Sequence, residues 1–458
     1  MNHTIRQLPS RQDGLLYRTI WRWHFYAGLF VIPFILVLSL TGALYLFKPQ
    51  IDAWEERHWR GFAAAENIRP ETQVEAAVTA FPGATFHHYR LPQASGDAAM
   101  VHLRLADGSI RDVFVSPAGS VVGNRDPNAR LSRLLSRMHG SLLIPPVGDW
   151  LVELAASWAI VLILTGLYLW WPRGNGVSGG RFWPRAGLKG RSWWREGHAA
   201  IGIWAAGLAL VLLLSGLPWS NLWGDAFAKV RAELGLVAGA QDWRAPAGDH
   251  AGHDQAAMAR PGPVVARAKV PLDTIVLRAR QAELAAPVII MAPGASDWGT
   301  AADTGRWTIK SLTQNRPLRR SIHVDAATGL EIGREEFADK HVIDRVINYG
   351  IAWHEGALFG WANQLIGVLT AVMLIALSIS GFAMWRRRRP DDQLGAPPAV
   401  TQRTRLRGVA LIVLALALVL PLLAASLVVL LLFERLVLHH WPRGARWLGV
   451  ETVSSATA

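Results

Sequence analysis

The sequence predicts an α-helical integral membrane protein: a four-helix core built from a duplicated two-helix unit, a fifth helix, and two small external α+β domains. Three observations predict it. The 458 residues are 51% hydrophobic and only 18% charged, too apolar for a soluble chain of that length. Five apolar stretches reach spanning length. Histidine–glycine spacings in the first half also recur in the second.

Composition closes off other classes. Twenty-two tryptophans against six tyrosines and fourteen phenylalanines suit anchoring at a membrane interface. The net charge of +13 lies largely in arginine-rich runs beside apolar stretches, so the positive-inside rule accounts for it and no nucleic-acid partner is implied. The chain has no cysteine, which excludes disulfides, iron–sulfur clusters and a covalently attached c-type haem. Any haem would be held non-covalently.

The elements follow in order. A tail over 1–21 leads into a first span at 22–47, which lacks an A-x-A-like cleavage site and reads as retained. An external segment, 48–148, precedes a second span at 149–171. A basic loop, 172–197, joins it to a third span at 198–219. A second external segment, 220–360, contains a Pro/Gly-rich linker at 244–263. The fourth span covers 361–385, a basic loop 386–407, the fifth span 408–433 and a tail 434–458.

Arginines in the N-terminal tail, in 172–197 and in "WRRRRP" (385–390) place those segments on the cytoplasmic side. The expected location is a bacterial inner membrane, with 48–148 and 220–360 periplasmic. The fifth span would then carry the C-terminus outside, against the pull of Arg435, Arg443 and Arg446. Each external segment reads as a helix followed by short strands. The helices fall at 70–81 and 271–283, and the strands end in near-matching turns, "VFVSPAG" and "IHVDAATG".

The repeat carries the chemistry. His24 and His198 each have a glycine four residues on (Gly28, Gly202) and another eighteen on (Gly42, Gly216). His139 and Gly166 stand twenty-seven apart, as do His354 and Gly381. Each half goes into the membrane, out through a small domain and back, so the halves are parallel repeats about an axis along the membrane normal. Symmetry pairs His24 with His198 at an inner level and His139 with His354 at an outer one. Gly28, Gly202, Gly166 and Gly381 fall at the inner level, Gly42 and Gly216 at the outer.

A flat macrocycle needs axial imidazoles from two sides and walls free of side chains, which this pattern supplies. The spacing predicts two non-covalent b-type haems, their iron ligated by these four histidines and stacked within the roughly 27 Å of helix from His24 to Gly42 at the usual rise. Ligation within a half, His24 with His139, stays open at this point. A lone histidine at a helix end more often snorkels or bonds a neighbouring helix; four paired by duplication favour ligation. The glycines alone would be ordinary close-packing sites.

Other motifs carry less. "GNGVSG" (174–179) fits G-x-G-x-x-G but lies in no βαβ unit. "DHAGHD" (249–254) has linker composition, His439 and His440 read as interfacial, and His87 and His88 fall in a loop-like approach to the strands. No nucleophile–base arrangement emerges, and no catalytic residue is assigned.

The stretches "RWHFYAGLFVIPFILVLSLTGALYLF", "MHGSLL…LTGLYLWWPR", "HAAIGIW…LLLSGLPW" and "WHEGALFGWANQLIG…SGFAMW" resemble the PepSY-associated transmembrane family, over most of the chain up to about 386. The resemblance implies that the external domains are PepSY-like modules and that the family's membrane histidines are His24, His139, His198 and His354. Some members look like di-haem inner-membrane reductases of ferric siderophores. That implies a ferric-chelate oxidoreductase, with a ferric siderophore or other ferric chelate as substrate and a quinol or cytoplasmic partner as electron donor. Two alternatives stand beside it: a PepSY-type regulator or inhibitor of exported peptidases, and a haem or siderophore transporter.

Overall fold

The computed structural model describes residues 11–63, 68–172, 182–238, 269–295, 305–397 and 407–450. The motifs at 174–179 and 249–254 and the linker at 244–263 lie outside them. The chain divides into two units. The first comprises Met1–Leu40, Val147–Asp225 and Val368–Ala458, the second Thr41–Pro146 and Ala226–Gly367.

The architecture is mostly helical, with five helices long and apolar enough to cross a membrane: Gly14–Tyr45, Val147–Trp170, Gly190–Trp219, Trp361–Arg388 and Pro421–His440. Where lipid offers no hydrogen-bond partner, a chain must satisfy its own amides, and a helix does so within one segment. The protein is therefore a multi-pass membrane protein. The helices concerned are α1 (Arg11–Tyr45), α5 (Val147–Trp170), α6 (Gly190–Gly216), α10 (Trp361–Arg388) and α12 (Pro421–Leu436).

In the first unit, Ile160 of α5, Leu217 just past α6, and Leu420 and Leu423 form a buried apolar cluster. Trp158 on α5 donates its indole N–H to Ser426 Oγ on α12 at 3.2 Å. The fifth apolar stretch departs from the expected single span over 408–433. It breaks at Leu420 into α11 (Arg407–Val419) and α12. Pro421 has no N–H to give and disfavours helical geometry in the residue before it, and Leu420 takes φ −117° and ψ 88°. Both flanks of this hairpin return to one place. The Arg22 guanidinium donates to Pro397 O at 2.7 Å and to Gly449 O at 2.8 Å, just beyond α13 (Pro442–Leu448). The C-terminal helix thus sits at the arginine-rich end of α1, where Arg388 also lies over the Trp21 and Phe25 rings. The expectation that the fifth stretch carries the C-terminus to the opposite end is corrected: hydropathy alone averages over the proline that turns the chain back.

The second unit is built on an eight-stranded antiparallel sheet in the order β4-β3-β2-β1-β5-β6-β7-β8. Its first four strands are β1 (Thr85–Arg90), β2 (Ala99–Arg104), β3 (Ile110–Val115) and β4 (Val121–Arg125). The second four are β5 (Val288–Met291), β6 (Arg306–Ser311), β7 (Ser321–Asp325) and β8 (Glu331–Glu335). Each four form a meander preceded by a helix, α3 (Pro70–Ala80) or α8 (Leu272–Gln281). The meanders join through β1 and β5, paired antiparallel with His88 opposite Met291. Each first strand, which alone would expose an unpaired edge, is thereby covered by the other. One sheet face packs Val101, Leu103, Val113, Ile290, Ile309 and Val324 against Ala77 of α3 and Ile275 of α8.

The remaining helices of this unit are α2 (Lys48–Glu55), α4 (Leu131–Ser141), α7 (Asn221–Glu233) and α9 (Val342–His354), α7 beginning just inside the first unit. Arg231 on α7 and Asp344 on α9 form a two-pronged ion pair at 2.9 and 2.7 Å, with side chains only 2% and 1% exposed.

Candidate functional site

The four membrane histidines are brought together as two pairs, one in each unit. In the first, His24 on α1 and His198 on α6 have ring centroids 6.5 Å apart and planes at 88°. In the second, His139 on α4 and His354 on α9 stand 6.1 Å apart with planes at 79°. Each pair takes one histidine from each half of the repeat. His139 and His354 do not sit on the spanning helices. Both ride short helices that end at or just after them. Beyond α4 the chain turns through Leu142 and Leu143 at φ 52° and 62°, left-handed values leucine rarely adopts. Beyond α9, Gly356 at φ 71° closes the helix, its N–H bonded to Trp353 O at 3.0 Å.

Three of the rings are fixed by hydroxyls that the histidine–glycine spacing does not point to. His24 Nδ1 lies 3.0 Å from Thr165 Oγ1 on α5. His198 Nδ1 lies 2.8 Å from Ser380 Oγ on α10. His139 Nδ1 lies 3.2 Å from Thr41 Oγ1 on α1. The Thr165 hydroxyl donates its one proton to its own helix, with Val161 O at 2.8 Å and Leu162 O at 3.0 Å. With its proton so engaged, Thr165 Oγ1 offers an acceptor to a proton on His24 Nδ1, the tautomer that leaves Nε2 its lone pair. Ser380 likewise donates to Leu377 O at 3.0 Å, offering His198 Nδ1 the same acceptor. The signal that could have found them is a dipeptide, serine or threonine before glycine, repeated as Thr41-Gly42, Thr165-Gly166, Ser215-Gly216 and Ser380-Gly381.

The glycines separate into two sets. A Cβ on Gly42 would meet His139 Cε1 at 2.9 Å, and one on Gly166 would meet His24 Cε1 at 3.1 Å. On Gly381 it would meet His198 Cε1 at an ordinary 3.7 Å. Gly42 and Gly166 thus clear space for an imidazole, and Gly381 faces one with room to spare. Gly28 and Gly202, one turn beyond their histidines, instead face Leu162 and Leu377 at 3.7 and 3.8 Å, and Gly216 ends α6.

Among the remaining candidates, His87 and His88 lie in β1 and not in a loop. His439 and His440 fall in a 3₁₀ turn after α12, with His440 Nδ1 3.0 Å from Leu436 O.

The sequence model of the PepSY-associated TM region matches residues 21–388. The chain belongs to this family. The matched region of this PepSY-associated membrane protein runs from Trp21, three residues before His24, to Arg388 at the end of α10, and so takes in both histidine pairs. No curated protein matches the chain.

The residues fit a bis-imidazole metal centre at both places. The ring centroids of the two pairs, 6.5 and 6.1 Å apart, put two imidazoles within reach of one metal ion at each place. A ligating histidine characteristically donates its other ring N–H to a fixed acceptor, which Thr165 and Ser380 provide. If the His24 pair holds a haem, Thr165→Val should weaken its retention roughly 10- to 100-fold, read as haem lost on titration with apomyoglobin. Gly42→Ala should displace the His139 ring and lower occupancy at that pair, while Gly381→Ala, with room to spare, should leave spectra unchanged.

Proposed function

We propose that this PepSY-associated membrane protein is a di-haem electron-transfer protein that reduces ferric iron, presented as a siderophore or similar chelate, on the periplasmic side of a bacterial inner membrane. The observation that carries the reading is the pairing of four histidines, one from each repeat half in each pair, with three of the rings held by hydroxyls. In this reading His24 and His198 hold one non-covalent b-type haem, and His139 and His354 the other. Bound haem supplies a one-electron ferric/ferrous couple.

The chain's own residues do the rest. Thr165 and Ser380 fix the tautomer and orientation of their histidines, so that Nε2 is the ligating atom. Held by two imidazoles, each haem would be suited to electron transfer rather than oxygen binding. The positive-inside rule places the Arg22 and Arg388 end in the cytoplasm, where a quinol or cytoplasmic partner would deliver electrons. The duplicated two-helix unit forms the membrane core, and the two PepSY-like meanders lie in the periplasm, where the chelate docks. Ferric iron is held tightly by hard chelate oxygens; the divalent ion binds them weakly, so one electron releases it.

The test uses full-length protein purified in detergent from haem-replete cells. A b-type Soret and α-band that dithionite reduces, and that a ferric hydroxamate reoxidises with ferrous iron trapped by ferrozine, is the expected result. Protein with no haem absorbance overturns the reading; haem that ferric chelates do not reoxidise overturns the substrate assignment.

A further inference from the structure

We propose that His87, His88 and His102 form a binding site for a divalent first-row transition cation on the sheet of the second unit. The site is independent of the haem reading.

The local sequence explains how neighbouring histidines converge. In a regular strand His87 and His88 would point to opposite faces. The β1–β2 register, however, shifts between Phe86, opposite Leu103, and His88, opposite His102. The extra residue is a β-bulge, which re-aims a side chain. Phe86 and Tyr89 on either side both enter the apolar core, so the two histidines between them share the other face. Directly paired residues share a face too, which places His102 beside His88 and Asp112 beside His102.

The three rings form a cluster. Centroids are 5.3 Å apart for His87 and His88, 5.5 Å for His87 and His102, and 4.4 Å for His88 and His102. One ring nitrogen from each lies within 4.8 Å of the others. The Nδ1 atoms of His87 and His88 are hydrogen-bonded at 3.0 Å, close enough for both to turn onto one ion with small ring movements. His88 and His102 are stacked, with planes 12° apart. Closing on an ion rotates one ring out of that stack, a movement on the scale of side-chain torsions.

A second observation points the same way. His102 Nδ1 is bonded to Asp112 Oδ1 at 2.7 Å, and Asp112 Oδ2 accepts from Arg130 at 3.1 Å. The carboxylate orients the ring with Nε2 as the ligating atom, the carboxylate–histidine arrangement that supports metal ligands. Arg130 is held in turn by Glu56 Oε1 at 2.8 Å. The equivalent row in the other meander reads Met291, Thr308 and His323. A role needed simply to fill this face would recur in both halves. Three imidazoles without a thiolate select zinc- or ferrous-type ions over magnesium or calcium, and leave a coordination position for water or a further ligand.

The experiment is equilibrium dialysis of the full-length, chelator-stripped protein against buffered zinc, with metal counted by elemental analysis and haem iron counted separately. One zinc per chain is expected. It should be lost in His88→Ala and His102→Ala, weakened roughly 10- to 100-fold in Asp112→Asn, and retained in His250→Ala/His253→Ala. Because a sheet substitution can disturb folding, X-ray absorption on the zinc-loaded wild type gives an independent reading, with three imidazole nitrogens at about 2.0–2.1 Å expected. No bound zinc, zinc retained by His102→Ala, or fewer than three imidazoles at the ion overturns the proposal.

Discussion

The double variant His24→Ala/His198→Ala is expected to keep one haem per chain, and His24→Ala/His139→Ala to keep none. The logic rests on which rings face each other. His24 and His198 are 6.5 Å apart, His139 and His354 6.1 Å. If each pair holds one haem, removing both members of a pair removes one haem and leaves the other. Removing one member from each pair would then damage both, because each haem would keep one imidazole in place of two. Ligation within a repeat half reverses the outcome: His24→Ala/His139→Ala would then spare one haem and His24→Ala/His198→Ala would lose both. Haem counted by pyridine haemochrome against protein mass, on monodisperse protein, separates the two. Two haems surviving in either double variant would show that these histidines are not the ligands.

The histidine pairs are legible in the sequence because duplication leaves a spacing, and a spacing survives without knowledge of any neighbour. Eighteen residues from His24 to Gly42 and from His198 to Gly216 need only counting. The hydroxyls of Thr41, Thr165 and Ser380 are in the same stretches, but serine and threonine are ordinary in membrane helices, where they bond back to their own carbonyls. Their role emerges only when another helix places a ring against them. Gly28 and Gly202 show the reverse: four residues from a histidine, they read as haem walls, yet their Cβ directions meet leucines on α5 and α10.

The sheet illustrates a second limit. Alternating residues reveal the strands of 100–123, and Gly108 at φ 84° makes the turn that Asp107-Gly108 announces. Pairing of β1 with β5 joins His88 to Met291, far apart along the chain, and no local pattern encodes that. The histidine cluster combines both difficulties. It depends on a bulge at His87 and on the register that sets His102 opposite His88. Along the chain alone, "FHHY" reads as a loop. Only the paired strand shows that two adjacent side chains share a face.

A second large effect is expected at the Arg231–Asp344 pair. Asp344→Asn or Arg231→Met should each destabilise the second unit by about 3–5 kcal/mol, because each leaves one buried charge without its counter-ion. Thermal unfolding of the detergent-solubilised protein, followed by tryptophan fluorescence, reads the loss. The double variant Arg231→Met/Asp344→Leu should recover most of it, since two apolar side chains of similar volume replace a pair whose desolvation already offset much of its attraction. What stays lost is the Arg231 bond to Leu236 O at 2.7 Å, worth about 1 kcal/mol. The pair also bears on the site. Asp344 lies in the first turn of α9 and His354 is its last residue, so the ion pair anchors the helix that presents His354. If the His139–His354 pair holds haem, that haem should accordingly fall in the single variants and return in the double, while haem at the His24–His198 pair is unchanged. If occupancy follows charge rather than stability, and the double variant stays depleted, Arg231 contributes to the centre electrostatically and not merely by holding α9 in place.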